Sequence, residues 1–504
     1  MYYNFNLNKF CESNLAKDKL AIVGSDREIN WGDLKLEVEE YKLLFQRLQI
    51  PKGHPVIIYG NKEASYLVVL LALIDSDIPY IPFDQSYPDE WLLKIKNITG
   101  SNVVIKVGEY NLEEEYSIII ESDKTVSKNN SERNYKTYLF PNDILRYIMF
   151  TSGSTGEPKC IQITNSSLLS FINWLRTDHP FSKHDIFMNQ ASFSFDLSGY
   201  NIFATISLGA TIVLFDTNEC NNYNIFYKKL NKYKVSTWIS TPSFAYLYII
   251  DPFFCSAQLE SIKTFIFIGE ILEKKLISKI WESFCNAIII NSYGPTETTI
   301  ATMFINCSSN MLNNSNDIPI GIEKYNGKIL LFDNSKIVAN KGEITIIGDQ
   351  VSNGYLNASL LDKENFFTWQ GTKAYRSGDY GYFNKGYLYF SGRKDSQIKL
   401  NGFRIELNEI NKVIFSLEFV DSAITIPLKK GNKVKKIISI IIVNSNFLEP
   451  PNVIRELVIC KIKNYLPNYM LPAGIKLIDH FPLNQNNKIC KKTLVKMYMN
   501  NDLI

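Results

Sequence analysis

Short apolar runs alternate with longer amphipathic ones from about residue 55 to residue 350. The run PVIIYG (55–60) predicts a buried strand, ASYLVVLLALIDS (64–76) a helix, and IPYIPF (78–83) the next strand. Uninterrupted apolar strands separated by helices are typical of parallel sheets that are covered on both faces. We therefore expect an α/β protein in which a large N-terminal domain contains stacked, mostly parallel sheets flanked by helices.

The pattern changes beyond residue 391. The stretch SGRKDSQIKLNGFRIELNEI (391–410) is charged and rich in turn residues, and a smaller α+β pattern follows it. A chain of 504 residues is long enough for two to four domains. We predict an N-terminal domain over residues 1–394 and a small, mobile α+β C-terminal lid over residues 395–504.

Composition supports packed cores and excludes several functions. Apolar residues make up 45% of the chain and aromatic residues 13%, whereas the net charge is only +3. Such a charge gives no reason to expect binding to nucleic acid. The N-terminus lacks the features of a signal peptide, and the longest apolar run, YLVVLLALI, is far shorter than the ~20 residues of a membrane-spanning helix. We expect a cytoplasmic monomer without membrane insertion.

Cysteine and histidine offer little chemistry. The eight cysteines include no CxxC pair, and the four histidines form no recognisable pairing. Neither a zinc site nor a histidine-based catalytic triad is therefore expected.

The stretch TSGSTGEPK (151–159) follows the predicted strand YIMF. Its glycines allow backbone N–H groups to converge, its Ser and Thr residues add hydroxyl donors, and its lysine adds a positive charge, which together favour a polyanion such as phosphate. The spacing differs from GxxxxGK[ST], so this is not a Walker A loop. Taken alone, the stretch is equally compatible with an ordinary surface turn.

Further motifs follow in a fixed order. They are FSFDLS (193–198), NSYGPTETT (291–299), GEITIIGDQVSNGYL (342–356), YRSGDYG (375–381), GRKDSQIKLNGFRIEL (392–407) and PLNQNNK (482–488). With these motifs the chain resembles the adenylate-forming superfamily over nearly its whole length. The linking text NWLRTDHP, IFMNQASFSFDLS, TWISTPSF and TFIFIGE is similar to D-alanine–D-alanyl carrier protein ligases, and more broadly to nonribosomal peptide synthetase adenylation domains.

The resemblance implies a reaction in two half-reactions. A carboxylate first attacks the α-phosphorus of ATP and expels pyrophosphate, and a thiol then attacks the acyl adenylate and expels AMP. ATP and Mg²⁺ are the implied cofactors. The residues implied to hold the β- and γ-phosphates are Thr151, Ser152, Gly153, Ser154, Thr155, Gly156 and Lys159.

The resemblance also assigns the rest of the nucleotide site. The implied residues are Gly269, Glu270, Asn291, Ser292, Tyr293, Gly294, Thr296, Glu297, Asp379 and Arg393. Glu297 matches the family's magnesium ligand, a hard anion suited to a hard cation. Asp379 matches the carboxylate that accepts hydrogen bonds from both ribose hydroxyls. A structural ion pair is the alternative role for Asp379 and Arg393.

The catalytic residues implied by the resemblance are Lys488, Thr296 and Glu297. Lys488 matches the lysine of the C-terminal lid that bridges the ribose and the reacting carboxylate, and Asp395 matches the hinge of that lid. The usual motif is NGK followed by Asp, whereas this chain has Asn487 and Cys490 at the flanking positions.

Asp196 indicates the class of substrate. The matching aspartate in amino-acid-activating members holds the α-ammonium of the substrate, and a buried carboxylate needs such a partner. Its alternative role is to cap a helix. The pocket positions of the family map onto Asp196, Leu197, Tyr200, Ser240, Ile266, Ile268, Ser292, Ile300 and Ala301. This set is uncharged apart from Asp196 and bulky, which suits a small uncharged amino acid.

We therefore expect a stand-alone amino acid–carrier protein ligase. The chain ends soon after Lys488, so the phosphopantetheine thiol is expected on a separate carrier protein. D-Alanine is compatible, but Ile268 replaces the cysteine of the D-alanine ligases and leaves the amino acid and its stereoisomer open. Two alternatives remain: a CoA ligase acting on a small carboxylic acid, and an inactive nucleotide-binding homologue.

Overall fold

The computed structural model describes most of the chain. The described residues are 16–109, 116–128, 135–151, 158–313, 317–323, 327–333, 336–338, 340–357, 364–393, 397–430, 433–444, 446–482, 489–500 and 502–503.

Contacts between Cα atoms divide the chain into two compact units. Residues 1–85, 95–150 and 160–394 form the larger unit, and residues 86–94, 151–159 and 395–504 form the smaller one. The smaller unit thus includes two short segments that the predicted division had placed in the N-terminal domain. They belong to it because packing in space, rather than order along the chain, decides the membership of a segment.

The helices of the described residues alternate with strands as far as residue 313. They are α1 (Trp31–Leu48), α2 (Ala64–Asp75), α3 (Asp89–Thr99), α4 (Asn165–Asp178), α5 (Leu197–Leu208), α6 (Thr217–Asn221), α7 (Tyr223–Lys232), α8 (Pro242–Tyr248), α9 (Lys274–Ser283), α10 (Ser309–Asn313), α11 (Leu407–Phe415), α12 (Pro451–Ile462) and α13 (Lys491–Met499). Two single turns of 3₁₀-helix cover Thr296–Thr298 and Asn468–Met470. None of the described helices has both the length and the apolar composition needed to cross a membrane.

The strands are short in the first half of the chain and longer beyond it. They are β1 (Leu20–Val23), β2 (Glu28–Asn30), β3 (Val56–Gly60), β4 (Tyr80–Asp84), β5 (Val103–Lys106), β6 (Ile118–Ile120), β7 (Val126–Lys128), β8 (Leu139–Phe140), β9 (Asp143–Thr151), β10 (Lys159–Thr164), β11 (Ile186–Asn189), β12 (Thr211–Leu214), β13 (Thr237–Ser240), β14 (Thr264–Phe267), β15 (Ile288–Tyr293), β16 (Met303–Asn306), β17 (Ile322–Glu323), β18 (Gly327–Asp333), β19 (Lys336–Ile337), β20 (Lys341–Gly348), β21 (Phe366–Trp369), β22 (Thr372–Asn384), β23 (Tyr387–Arg393), β24 (Gln397–Leu400), β25 (Phe403–Glu406), β26 (Val420–Lys430), β27 (Lys433–Val443) and β28 (Ile475–Leu477).

The larger unit contains three sheets within its described residues. The first has the order β17-β16-β15-β14-β13-β11-β12-β1-β2 and the second β10-β9-β4-β3-β5-β6-β7, with β8 paired to β9. Strands β1 and β11 to β15 pair in parallel, as do β3, β4, β5 and β6. The third sheet, β19-β18-β20-β22-β21 with β23 on β22, is antiparallel. The predicted stacked, mostly parallel sheets are confirmed.

One apolar core lies between the first two sheets. It takes alternate residues of both, such as Ile212 and Ile239 of the first and Ile58 and Ile105 of the second, together with residues of α1, α2, α4 and α5. Helix α2 is buried on almost every side, which explains why its sequence is apolar all round rather than along one stripe. The opposite face of the first sheet packs against α7, α8 and α9.

Strand β1 completes the first sheet from a distant part of the chain. It pairs in parallel with β12, and the hydroxyl of Thr211 donates a 2.6 Å hydrogen bond to the carbonyl of Leu20, 191 positions away. The indole N–H of Trp31 donates a 3.0 Å hydrogen bond to the carbonyl of Ala210. The first 30 described residues are therefore fixed only by segments near residue 210.

The smaller unit has the predicted α+β composition. Strands β24 and β25 form a hairpin, and β26, β27 and β28 form a three-stranded sheet. Ile426 and Ile438 of this sheet share an apolar core with Leu494 of α13.

Candidate functional site

The predicted substrate and nucleotide residues of the larger unit follow neighbouring parallel strands. Strands β11, β13, β14 and β15 are adjacent in the first sheet. Segments 190–196, 241–243, 268–270 and 294–300 leave their carboxyl ends. Since the carboxyl ends of parallel strands meet at one edge, these segments converge where α/β folds place their ligands.

Asp196 lies directly before α5 and is buried. Its backbone is already helical, with φ −59° and ψ −23°, and its side chain makes no capping hydrogen bond to the helix. An N-cap residue has an extended backbone and accepts a hydrogen bond from the first turn. The alternative role of Asp196 as a helix cap is therefore wrong.

The mapped pocket residues are buried without exception. They are Leu197, Tyr200, Ser240, Ile266, Ile268, Ser292, Ile300 and Ala301. Such a set leaves room for a small side chain only, as the sequence indicated.

Tyr200 is held by a histidine that sequence reasoning did not identify. Its hydroxyl lies 2.5 Å from Nε2 of His179, whose Nδ1 lies 3.4 Å from the carbonyl of Trp174. Burial lowers the pKa of His179 to about 3, so the ring is neutral at physiological pH. With the proton on Nδ1, which faces the carbonyl, Nε2 accepts from the Tyr200 hydroxyl.

The backbone is strained where the pocket meets the 3₁₀ turn. Thr299 and Ile300 have φ of 61° and 70°, a region that a β-branched residue rarely adopts. A Cβ atom added to Gly199 would lie 2.6 Å from Cδ1 of Ile300. A glycine at position 199 therefore allows α5 to approach Ile300 closely.

Glu297 is fully buried in the 3₁₀ turn. The hydroxyl of Tyr355 donates a 2.7 Å hydrogen bond to its Oε1, and the N–H of Ser352 donates to its carbonyl at 2.9 Å. The position and direction of the carboxylate are thus fixed by the segment that follows β20. Tyr355 belongs to the motif ending in GYL, but that motif gave no role for the tyrosine.

Asp379 and Arg393 face each other on β22 and β23. Nη1 of Arg393 donates to Oδ1 of Asp379, while the hydroxyl of Tyr293 lies 2.5 Å from Oδ2. Burial, followed by the negative charge of Asp379, raises the pKa of Tyr293. The ion pair considered as an alternative is present, and it places a guanidinium beside the carboxylate predicted to bind ribose.

Other predicted nucleotide residues make backbone contacts. Glu270 accepts a 2.9 Å hydrogen bond from the N–H of Ser243 at the start of α8. Asn291 donates to the carbonyl of Pro319 at 2.8 Å, and Ser292 to that of Met303 at 3.1 Å. Gly269 has φ 93°, which glycine adopts at little cost. Gly294 could not carry a side chain, because its Cβ would lie 2.5 Å from Cα of Ala301.

The predicted phosphate loop is described only at its two ends. Ser152, Gly153, Ser154, Thr155 and Gly156 lie outside the described residues, as do Lys488 and Asp395. Thr151 ends β9 and Lys159 begins β10. The hydroxyl oxygen of Thr151 is buried and has no hydrogen-bond partner among the described residues. A phosphate oxygen would satisfy it.

No group of three or more His, Cys, Asp and Glu side chains among the described residues could hold a metal ion alone. Glu297 is one buried carboxylate, and the Tyr355 hydrogen bond occupies only its Oε1. A carboxylate of this kind fits a magnesium ion that takes its other ligands from phosphate and water.

The fold and these residues define an enzyme that adenylates a carboxylate. The chain belongs to the AMP-binding enzyme family, whose profile matches residues 12–356. It is therefore an ATP-dependent ligase that acts through an adenylate intermediate.

Relatives of known name match the chain over nearly its full length. It is 33% identical over 482 residues to the D-alanine–D-alanyl carrier protein ligase of Bacillus licheniformis, covering 95% of this chain and 96% of that protein. It is 33% identical over 476 residues to the enzyme of the same name from Listeria monocytogenes, with coverage of 92% and 93%.

Among solved structures, the chain resembles the Vibrio cholerae adenylation domain AlmE in complex with glycyl-adenosine-5′-phosphate. The TM-score is 0.82 over 98% of this chain and 97% of that chain, at 20% identity. At this identity the likeness concerns the fold.

Proposed function

We propose that this protein activates a small uncharged amino acid as its adenylate and transfers the aminoacyl group to the phosphopantetheine thiol of a carrier protein. The buried, non-capping carboxylate of Asp196 is the observation that carries the proposal. The names of the relatives that match over more than nine-tenths of their length support the carrier protein as acceptor.

Asp196 would bind the α-ammonium of the substrate. A buried carboxylate is stabilised by a positive partner, and its side chain does not serve the helix that it precedes. A substrate without an ammonium group would leave this charge poorly compensated. The geometry therefore favours an amino acid over a simple carboxylic acid.

Tyr200, Ile268 and Ile300 would limit the substrate side chain to about the size of a methyl or hydroxymethyl group. Relatives of this chain are named D-alanine ligases, which makes D-alanine the first candidate. L-Alanine, glycine and serine are the other candidates, because one methylene changes binding by only ~1–3 kcal/mol and Ile268 departs from the D-alanine ligase pattern.

The nucleotide would be held by residues of three segments. Asp379 would accept hydrogen bonds from the ribose, with Arg393 adding positive charge beside it. Glu297 would hold Mg²⁺, which neutralises phosphate charge when bound. Thr151 and Lys159, with the loop between them, would contact the β- and γ-phosphates.

In the first half-reaction a carboxylate oxygen of the amino acid forms a bond to the α-phosphorus, and the bond from that phosphorus to the pyrophosphate oxygen breaks. Thr296 and Lys488 would donate hydrogen bonds to the oxygens on which negative charge develops. In the second half-reaction the pantetheine sulfur replaces AMP on the carbonyl carbon, with loss of the thiol proton.

Amino-acid-dependent exchange of pyrophosphate into ATP tests the first half-reaction. D-Alanine, L-alanine, glycine, serine and propionate form the panel, and a phosphopantetheinylated carrier protein is compared with CoA as acceptor. We expect exchange with one or more of the amino acids and transfer to the carrier protein. Preference for propionate and CoA would instead indicate a carboxylic acid–CoA ligase.

Substitution of Asp196 by Asn tests the role of its charge. Hydrogen bonds to charged groups are worth ~1.5–3 kcal/mol, so exchange with the best amino acid should fall about 10- to 1,000-fold. Affinity for ATP should change little, and exchange with propionate should fall less. Asp185→Asn is the control, because Asp185 is another partly buried aspartate whose carboxylate accepts from Ser182 and Ser236. Equal losses for the amino acid and propionate would contradict the assignment.

A further inference from the structure

Lys62 is a buried lysine outside the residues assigned so far. It lies in the turn between β3 and α2, and its side chain is only 2% exposed. Its Nζ donates a 2.6 Å hydrogen bond to Oδ1 of Asn189 and another to the carbonyl of Ala191. The same Nζ lies 4.2 Å from the centroid of the Phe193 ring. All three partners belong to the segment that connects β11 to Asp196.

That segment has further anchors beside Lys62. The hydroxyl of Ser192 donates a 2.7 Å hydrogen bond to Oδ2 of Asp84, and that of Ser194 donates to the carbonyl of Pro82 at 3.1 Å. Asp84 and Pro82 lie on β4, next to β3 in the second sheet. The path of the chain from Asn189 to Asp196 is thus set by the ends of β3 and β4, and Lys62 supplies its positively charged anchor.

We propose that Lys62 is a positioning residue for the amino-acid subsite: its ammonium fixes residues 189–193 so that Asp196 is held in place to bind the substrate ammonium. This inference rests on the proposed function, because it needs Asp196 to contact the amino acid. Lys62 itself touches neither the substrate nor ATP.

The surroundings of Lys62 make its charge depend on pH. Asp84 faces it from β4, Asp216 and Cys220 face it from the cap and the body of α6, and Glu63 follows it in its own turn. Burial outweighs these neighbours and lowers the pKa of Lys62 to about 7. The neutral amine keeps two N–H donors, but it loses the stronger charged hydrogen bonds and the attraction to the Phe193 ring.

The amino-acid KM should therefore depend on pH, and Lys62→Met should remove that dependence. Exchange is measured at saturating ATP from pH 6 to pH 8.5 with the best amino acid of the panel. In the wild type we expect the KM to rise about five-fold over this range, from the difference between charged and neutral hydrogen bonds. In Lys62→Met we expect a KM at least about ten-fold higher than that of the wild type at pH 6, a flat pH profile, and an ATP KM within about two-fold of the wild type.

Lys229→Met is the matched control. Nζ of Lys229 also binds a carbonyl and a side-chain oxygen, those of Leu214 and Glu219, at 2.7 and 2.6 Å. It also lies 5.0 Å from an aromatic ring centroid, that of Phe215. Lys229 is on α7 and does not anchor the segment before Asp196, so its loss should leave the amino-acid KM and its pH profile unchanged.

The outcomes separate this inference from the proposed function. A rise in the amino-acid KM confined to Lys62→Met, with the loss of its pH dependence, would support the positioning role. Equal changes in both KM values, an unchanged amino-acid KM, or equal effects of the two lysine variants would overturn it. If Lys62→Met does not fold, a flat wild-type profile overturns it and a rising one supports it. A wild-type enzyme without exchange for any amino acid would overturn the proposed function itself.

Discussion

The hydroxyl of Tyr355 and the carboxylate of Glu297 form a 2.7 Å hydrogen bond between two buried side chains that are 58 positions apart. Oε1 accepts from the tyrosine, which fixes the plane of the carboxylate. A metal ligand oriented in this way keeps its geometry between turnovers, and such supporting partners commonly change metal affinity by 10- to 100-fold.

Replacement of Tyr355 by Phe should therefore weaken the use of Mg²⁺. We expect the Mg²⁺ concentration for half-maximal exchange to rise about ten-fold, because the buried carboxylate loses a charged hydrogen bond. Titration of exchange activity with MgCl₂ measures this change. Tyr382→Phe, which removes a hydroxyl from a tyrosine stacked on Tyr389, is the control. An unchanged Mg²⁺ requirement in Tyr355→Phe would mean that Glu297 is not the magnesium ligand or does not need this support.

His179 should make the protein sensitive to acid. Its pKa is about 3 in the folded state because of burial, against 6.5 as the ordinary value. Between these values the unfolded chain binds a proton that the folded chain does not, so the free energy of unfolding falls as the pH is lowered from about 6.5 towards 3. The contribution of one such group is at most about 1.4 kcal/mol per pH unit.

Urea unfolding at pH 7, 5.5 and 4.5 tests this prediction. His179→Gln should show a shallower loss of stability than the wild type, whereas His184→Gln, at an exposed position, should follow the wild type. Parallel pH profiles for the wild type and His179→Gln would show that His179 does not govern the acid response.

Lys488 should act in only one half-reaction. If it bridges ribose and carboxylate during adenylation, Lys488→Ala should reduce pyrophosphate exchange by several hundred-fold or more, on the scale of lost charge stabilisation in a transition state. Transfer from a preformed aminoacyl adenylate to the carrier protein should stay within a few-fold of the wild type. Equal losses in single-turnover assays of the two steps would contradict this role.

Local patterns predicted the elements of the fold well. The apolar run at 55–60 became β3, the run at 64–76 became α2, and the run at 78–83 became β4. These elements are buried on nearly all sides, so every residue in them carries the same signal. Glu297 and Asp379 were found through motifs, and the structure shows both carboxylates buried with specific partners.

The supporting residues could not be predicted because their partners are remote. Lys62 is 127 positions from Asn189, and His179 is 21 positions from Tyr200. A single lysine or histidine has no period, and its ordinary role is at the surface or in a satisfied core. Its meaning depends on which strand ends the fold brings together, and this information is absent from any short window of sequence.

The pairing of β1 with β12 has a consequence for synthesis on the ribosome. The partner of Leu20 is 191 residues further along the chain, and translation proceeds at about 5–20 residues per second. The segment from β1 to α1 thus waits roughly 10–40 s after emerging before its strand partner exists. During this interval Trp31 and the apolar face of α1 have no permanent cover, so the nascent chain presents a binding surface for chaperones long before the enzyme has a site for ATP.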